Sequence, residues 1–158
     1  TEQEQILMKK KSLEWDLIQV MCNLYVECYK NDVEHKHQYF NQLEILLKDL
    51  TVTLYEAEEL GIPLSPEMKK VQAKAQKVLS YHSSGLKPMQ LAVNLETLLK
   101  TYKPLQIIKP IVGTKQYKEC QIDYQKAFGI KGNITHVLEP RIIHEHDVLY
   151  EGRVRVNS

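Results

Sequence analysis

Apolar residues recur every three or four positions through the first part of the chain, as they do on one face of an α-helix. Residues 4–30 carry such a stripe, which predicts a first amphipathic helix, and Asn31-Asp32 then supplies a break and the next N-cap. The second stripe predicts a long helix with a single apolar seam. Its members are Phe40, Leu43, Leu47, Leu50, Leu54 and Ala57. Gly61 and Pro63 are expected to end this helix.

Two further helices are predicted from proline and capping signals. Ser65 is expected to cap the third helix, with Pro66 at its first helical position and Glu67 in its first turn. These residues suit the positive end of a helix dipole. Pro88 is expected to open a fourth helix, which Pro104 stops because proline disrupts a helix interior.

A fifth, shorter helix is predicted from a cap at Thr114 to a C-cap at Gly129. Four residues in this segment share helical spacing, namely Tyr117, Cys120, Tyr124 and Phe128. Residues 104–113, between the fourth and fifth helices, are predicted to be an extended connector.

Beyond this point the pattern changes its period. Residues 132–139 and 148–156 alternate apolar and polar positions, which predicts two strands, and residues 144–147 are interpreted as the turn or bulge between them. An isolated two-stranded hairpin is marginally stable in water. We therefore expect these strands to lie on the helices or to add to a sheet from another chain.

Together these patterns predict a mainly α protein. The expected architecture is an elongated bundle or short solenoid of about five helices, with a small C-terminal β-hairpin. The predicted organisation is a helical domain at residues 1–130 and a β-rich extension at residues 131–158, packed on that domain or on a partner. The solenoid alternative depends on a loose similarity between residues 53–68 and 97–112, in which a helix end leads to a proline.

Two long segments together resemble a known family. They are "LYEAEELGIPLSPEMKKVQAKAQKVL" and "LETLLKTYKPLQIIKPIVGTKQYKEC". Residues 40–128 resemble the helical region that follows the catalytic domain in ARID-containing JmjC histone demethylases. The first helix and the tail do not belong to that pattern, and the tail lacks the Cys and His residues of the zinc modules in those proteins. The resemblance implies a nuclear, non-catalytic scaffold.

Composition is typical of a globular protein, with 43% hydrophobic and 26% charged residues. No apolar run reaches the length of about 18 residues that a membrane span needs, so no membrane association is expected. Cys22 and Cys28 lie on different sides of the first predicted helix and cannot pair. This favours a reducing, intracellular location, nucleus or cytoplasm. The sequon Asn133-Ile134-Thr135 leaves a secreted alternative open.

The sequence lacks four motifs that are common in enzymes. It has no phosphate-binding glycine loop, G-x-S-x-G, H-E-x-x-H or Cys-x-x-Cys. The three cysteines, Cys22, Cys28 and Cys120, lie on predicted apolar faces, where a thiol usually serves packing. We therefore predict a protein that is not an enzyme and needs no cofactor.

Histidines in the tail suggest one alternative, a metal-binding site. His144 and His146 would share a face if both lay on a strand, a spacing found in zinc and copper sites. His136 or Cys120 could supply a further ligand. The competing interpretation is a polar turn whose imidazoles are solvated, so these histidines are weak candidates.

A second alternative is nucleic-acid binding through lysines. Residues 69–118 carry a net charge of +9, whereas residues 44–67 carry −5. Lysines without arginine favour contact with the phosphate backbone over base recognition. The candidate contacts are Lys69, Lys70, Lys74, Lys77, Lys100, Lys103, Lys109, Lys115 and Lys118. The competing interpretation is that these lysines coat the solvent face of the helices.

The preferred functional prediction is a non-enzymatic interaction or scaffold module within a larger protein or complex, with a protein partner or a homo-oligomer. The first helix and the seam from Phe40 to Leu60 would form the bundle. An open alternative is that a coiled-coil partner shares this bundle. The terminal strands would provide a docking edge. Its predicted contact residues are Val148, Tyr150, Arg153, Val154, Arg155 and Val156.

Overall fold

A computed structural model describes residues 1–63, 66–126 and 128–158. The chain forms two compact units, Thr1–Leu95 (unit 1) and Glu96–Ser158 (unit 2). The boundary between the helical domain and the β-rich extension was predicted at residue 130. The observed boundary lies earlier, because segments before residue 130 form strands in the same sheets as the tail.

Four helices are present in the described part of the chain. They are α1 (Glu2–Tyr29), α2 (Val33–Glu59), α3 (Pro66–Tyr81) and α4 (Pro88–Leu99). Thr1 caps α1 by accepting a hydrogen bond from the Glu4 N–H, and the Glu4 side chain reaches back to the cap. The predicted starts at Pro66 and Pro88 are confirmed. The predicted cap of α3, Ser65, lies outside the described residues.

The core of unit 1 lies where α1 packs along α2 and α3 contacts both. All six members of the predicted α2 seam are buried, which confirms that this face is internal. From α1, the fully buried side chains include Leu17, Met21 and Leu24. Each large apolar side chain removed from water in this way contributes about 1.5–3 kcal/mol, so this interface is the main source of stability in unit 1.

In the described residues of unit 2, six short strands form two three-stranded sheets. The strands are β1 (Leu105–Ile108), β2 (Gln121–Gln125), β3 (Ile134–Glu139), β4 (Arg141–His144), β5 (Asp147–Tyr150) and β6 (Arg153–Asn157). One sheet has the order β1-β4-β5, with antiparallel neighbours throughout. The other has the order β2-β6-β3, in which β6 pairs parallel with β2 and antiparallel with β3.

The predicted fifth helix is wrong. Its segment contains β2, which aligns Ile122 with Val154 and Tyr124 with Val156 on β6. The β-branched and aromatic residues of this segment suit a strand, and pairing with a strand 32 residues away in sequence overrides the helical spacing. The predicted connector also contains a strand, β1, paired with β4.

The predicted C-terminal hairpin is confirmed only as strand structure, because the strands there belong to two three-stranded sheets. A turn does lie at Glu145 and His146, as expected from residues 144–147, but it joins β4 to β5. The first predicted strand, residues 132–139, contains β3, which pairs with β6 instead. Glu145 adopts a φ of 56°, a left-handed conformation that tight turns require. The second predicted strand, however, breaks at Glu151-Gly152, so that β5 and β6 belong to different sheets.

Candidate functional site

The predicted docking edge does not exist on β6. This strand is the centre of its sheet, with β2 on one side and β3 on the other, so its backbone hydrogen-bonding groups are already used. Val154 and Val156 are fully buried in a small core with Ile134. The choice of these two valines as partner contacts is therefore corrected: their side chains pack within the chain.

The other predicted docking residues are divided between the two sheets. Arg153 is half-buried and its Nη2 donates a hydrogen bond to Gln121 Oε1 at 2.9 Å, within its own sheet. Arg155 is also half-buried on β6. Val148 and Tyr150 lie on β5, an edge strand, where Val148 is 46% exposed. A four-residue edge is all that remains of the predicted docking surface.

The nine candidate lysines are divided between the two units. Lys69, Lys70, Lys74 and Lys77 are on α3 in unit 1, and the other five belong to unit 2. In unit 2, Lys109 Nζ lies 2.8 Å from Glu96 Oε1, and Lys100 Nζ lies 3.9 Å from Glu96 Oε2. Part of the predicted positive charge is therefore neutralised by the acid in that stretch.

The tail histidines are not gathered into a metal site. His136 is on β3, His144 ends β4, and His146 is in the following turn. Within the residues that the structure describes, one group of three side chains has ligand atoms close enough to share an ion, and it is Glu27, Asp32 and His35. Sequence reasoning missed this group because two helices contribute to it. The available signal was an acid in the last turn of α1 followed by an acid and a histidine across the helix break.

The thiols of α1 have the properties of buried packing groups. Cys22 and Cys28 are fully buried, and burial raises their pKa to about 12 and to about 11. Burial also raises the pKa of the half-buried Cys120 thiol. A nucleophilic cysteine needs a lowered pKa, so these environments do not favour catalysis by any of the three.

A stripe of large apolar residues is exposed on α2. Ile45 and Tyr55 are each 64% exposed and Val52 is 52% exposed. Steps of seven and three residues are close to whole helical turns, so the three share one side of α2 with Lys48 between them. We call Ile45, Lys48, Val52 and Tyr55 the α2 outer face. The buried seam lies on the opposite side of the helix, so packing in unit 1 does not cover this face.

A groove runs beside the α2 outer face, between α2 and α3. It has a volume of about 790 Å³ and a mainly apolar lining. Val52 and Thr51 contribute from α2, and Gln76 and Leu79 contribute from α3. The rings of Phe40 and His82, which also line the groove, are 4.6 Å apart. The groove thus extends the apolar surface that begins on the α2 outer face.

Acidic residues line the α2 side of this surface. Glu44, Asp49, Glu56 and Glu59 are exposed on α2 on the same side as the outer face, and only Lys48 opposes them there. Lys48 is already paired with Glu44, with a 3.3 Å distance between Nζ and Oε1. On α3, Lys70, Lys74 and Lys77 lie about 100–180° around the helix from Gln76 and Leu79, whereas the exposed Lys69 lies about 20° from Gln76, on the groove side. The surface is therefore apolar at its centre and negatively charged along its α2 rim, with one lysine on the α3 side.

Comparison with known proteins gives no relative for this chain: no family model, curated protein or solved structure matches it. The resemblance of residues 40–128 to the demethylase helical region therefore stays a prediction. No described helix combines the length and the apolar character needed to cross a lipid bilayer.

Proposed function

We propose that this protein is a non-enzymatic protein–protein interaction module that binds a basic amphipathic helix on the α2 outer face and the adjoining groove. The observation that carries this proposal is the exposure of Ile45, Val52 and Tyr55 on a helix whose opposite side is completely buried. Contiguous apolar surface that is rimmed by polar residues is typical of interaction sites. We therefore propose unit 1 as the location of the docking surface, since β6 offers no free edge.

The shape of the surface favours a helical partner. About 15 Å of helix axis separates Ile45 from Tyr55, which three turns of a partner helix would cover. Apolar residues at three- and four-residue spacing on the partner could contact Val52 and enter the groove towards Leu79, as in helix-in-groove recognition. The four-residue edge of β5 offers far fewer backbone hydrogen bonds to a partner strand.

The charge at the rim favours a basic partner over a second copy of the chain. Two α2 outer faces brought together would place Glu44, Asp49, Glu56 and Glu59 of one copy near the same acids of the other. Like charges at an interface are unfavourable, whereas Lys or Arg residues flanking the partner's apolar stripe would be attracted. The same acids would repel a phosphate backbone, so this surface does not suit nucleic acid.

A direct test uses a synthetic, fluorescein-labelled helical peptide with leucines on one face and lysines flanking them. Its binding to the full chain would be followed by fluorescence anisotropy. Val52→Gln removes an apolar contact in the middle of the surface and should weaken binding about fivefold, since burying about half a valine side chain is worth roughly 1 kcal/mol. Val33→Gln is the matched control, because Val33 is on the same helix and is also 52% exposed.

The rim is tested separately with Glu56→Gln and Glu59→Gln, which should weaken binding and reduce its dependence on salt. A peptide with the same leucines but glutamates in place of the lysines should bind much more weakly. The proposal is wrong if Val33→Gln and Val52→Gln have the same effect, or if the peptide does not bind saturably. Sedimentation equilibrium tests whether the partner is a second copy of this chain. If the wild type is a dimer and Val52→Gln is a monomer, the α2 outer face binds another copy of the chain and not a basic helix.

A further inference from the structure

We propose that the turn between α1 and α2 is a binding site for a divalent transition-metal ion, best suited to Zn²⁺, with Glu27, Asp32 and His35 as ligands. One ligand atom from each of these side chains lies within 4.8 Å of the other two. The site is independent of the α2 outer face and of the tail histidines that the sequence suggested.

The backbone of the turn holds the three residues in place. The N–H of Asp32 donates to the carbonyl oxygen of Glu27 at 2.8 Å, and the N–H of Asn31 donates to Cys28 O at 3.1 Å. With Asn31 at a φ of 64°, this is a Schellman ending of α1. Asp32 then caps α2, since its Oδ1 accepts a hydrogen bond from the His35 N–H at 3.1 Å. The ligands are therefore positioned by helix ends and not by a long loop.

The side chains converge with the spacing that a small cation needs. His35 Nδ1 lies 2.7 Å from Asp32 Oδ2 and 3.9 Å from Glu27 Oε2. Zinc bonds of about 2.0–2.1 Å to nitrogen and oxygen place neighbouring tetrahedral ligands about 3.3 Å apart. The two observed distances lie on either side of that value. A bound ion would replace the hydrogen bond that now joins His35 Nδ1 to Asp32 Oδ2. Small side-chain rotations, with Asp32 Oδ1 still capping α2, would bring all three atoms onto that ion.

A second observation favours a cation at this position. No donor group of the described residues lies within hydrogen-bonding distance of Glu27 Oε2, which is buried from solvent, and the Glu27 side chain as a whole is 15% exposed. A buried carboxylate oxygen without a partner is energetically costly. A bound cation would satisfy this oxygen and offset the charges of Glu27 and Asp32.

The donor set selects the type of ion. One imidazole nitrogen and two carboxylate oxygens are suitable ligands for Zn²⁺, and also for Co²⁺, which can report on the same site spectroscopically. Ca²⁺ requires six to eight oxygen ligands and does not favour imidazole. Three protein ligands leave one tetrahedral position for water. Because His35 is partly exposed, water can reach that position.

The test is a titration of the full, chelator-treated chain with ZnCl₂ by isothermal calorimetry, together with Co²⁺ absorption in the visible range. We expect one ion per chain, displacement of Co²⁺ by Zn²⁺, and no displacement by excess Ca²⁺. Glu27→Gln and His35→Ala should each weaken zinc binding at least about tenfold. His146→Ala is the control and should bind zinc as the wild type does, because His146 lies outside the group. Asp32 is kept, since its removal would also uncap α2.

Circular dichroism establishes that each variant is folded before binding is compared. If one ligand variant unfolds, the other still tests the site. Zinc binding that is unchanged in both Glu27→Gln and His35→Ala, or absent from the wild type at submillimolar zinc, would overturn the proposal. Loss of binding in His146→Ala with full binding in His35→Ala would place the ion on the tail instead. A rise of the wild-type melting temperature with zinc, absent in His35→Ala, is the corresponding stability readout.

Discussion

The guanidinium of Arg141 donates a hydrogen bond from Nη1 to the backbone carbonyl of Glu119, across 2.9 Å. The same nitrogen lies 3.2 Å from the carbonyl oxygen of Glu151. Arg141 begins β4, Glu119 precedes β2, and Glu151 separates β5 from β6. One buried side chain thus links segments next to both sheets of unit 2.

Replacing Arg141 with leucine is expected to destabilise unit 2 by about 2–4 kcal/mol, because two carbonyl groups lose a charged donor in a partly buried position. The measurement is urea unfolding followed by circular dichroism in the β-sheet region. Arg155→Leu is the control. It changes a half-buried arginine of the same unit, whereas Arg141 is buried, and should cost no more than about 0.5 kcal/mol. Equal losses in the two variants would contradict the linking role of Arg141.

Gly152 allows the backbone between β5 and β6 to pass close to Arg141, where a side chain would clash. It has a φ of 82°, and a Cβ added there would lie 3.1 Å from Arg141 Cβ and 3.2 Å from Arg141 N. Gly152→Ala should therefore cost about 2–3 kcal/mol. Gly113→Ala is matched in conformation, with a φ of 87° and nothing within 4 Å, and should cost about 1 kcal/mol. If both variants lose the same stability in urea unfolding, the contact with Arg141 is irrelevant.

Glu14 should make the protein less stable as the pH rises from acid to neutral. Burial, followed by the charge of Glu67, raises the pKa of Glu14 above 4.5. The folded state therefore binds this proton more tightly than the unfolded state, and stability falls as pH rises from 4.5 through the folded pKa. Glu14→Gln removes the penalty and should raise the melting temperature at pH 7, with a smaller gain at pH 4.5.

The control for this pH effect is Glu58→Gln, an exposed acid on α2. Substitution at this exposed position should change the stability at pH 7 by no more than about 0.5 kcal/mol. A Glu14→Gln variant that is less stable than wild type at pH 7 would show that the carboxylate makes a favourable interaction instead.

The cysteines should differ in reactivity in the native protein. Burial raises the pKa of Cys22 to about 12 and that of Cys28 to about 11. Both thiols should therefore be protonated at pH 8, and burial also keeps the reagent away from them. We expect iodoacetamide to label only Cys120 within an hour, and all three cysteines in concentrated urea. Mass spectrometry of the labelled chain counts the modified residues. Rapid native labelling of Cys22 or Cys28 would contradict their burial in unit 1.

The sequence by itself determined most of unit 1, because helices and their buried faces follow from local spacing. The α2 seam and the starts at Pro66 and Pro88 could be predicted from residues within a few turns of each other. The strand character of the tail was also visible, since alternation is a local pattern as well. These features depend on interactions between residues close together in sequence.

Only the tertiary structure decided which strands pair and which apolar residues stay exposed. The segment around Tyr124 has helical spacing, yet parallel pairing with β6 makes it a strand, and that partner is far away in sequence. The same pairing buries Val154 and Val156 and removes the predicted docking edge. Ile45 is exposed because neither α1 nor α3 covers it. Glu27 lies close to His35 because the turn into α2 brings the two residues together. Local periodicity cannot specify such contacts, because they depend on how separate elements meet in space.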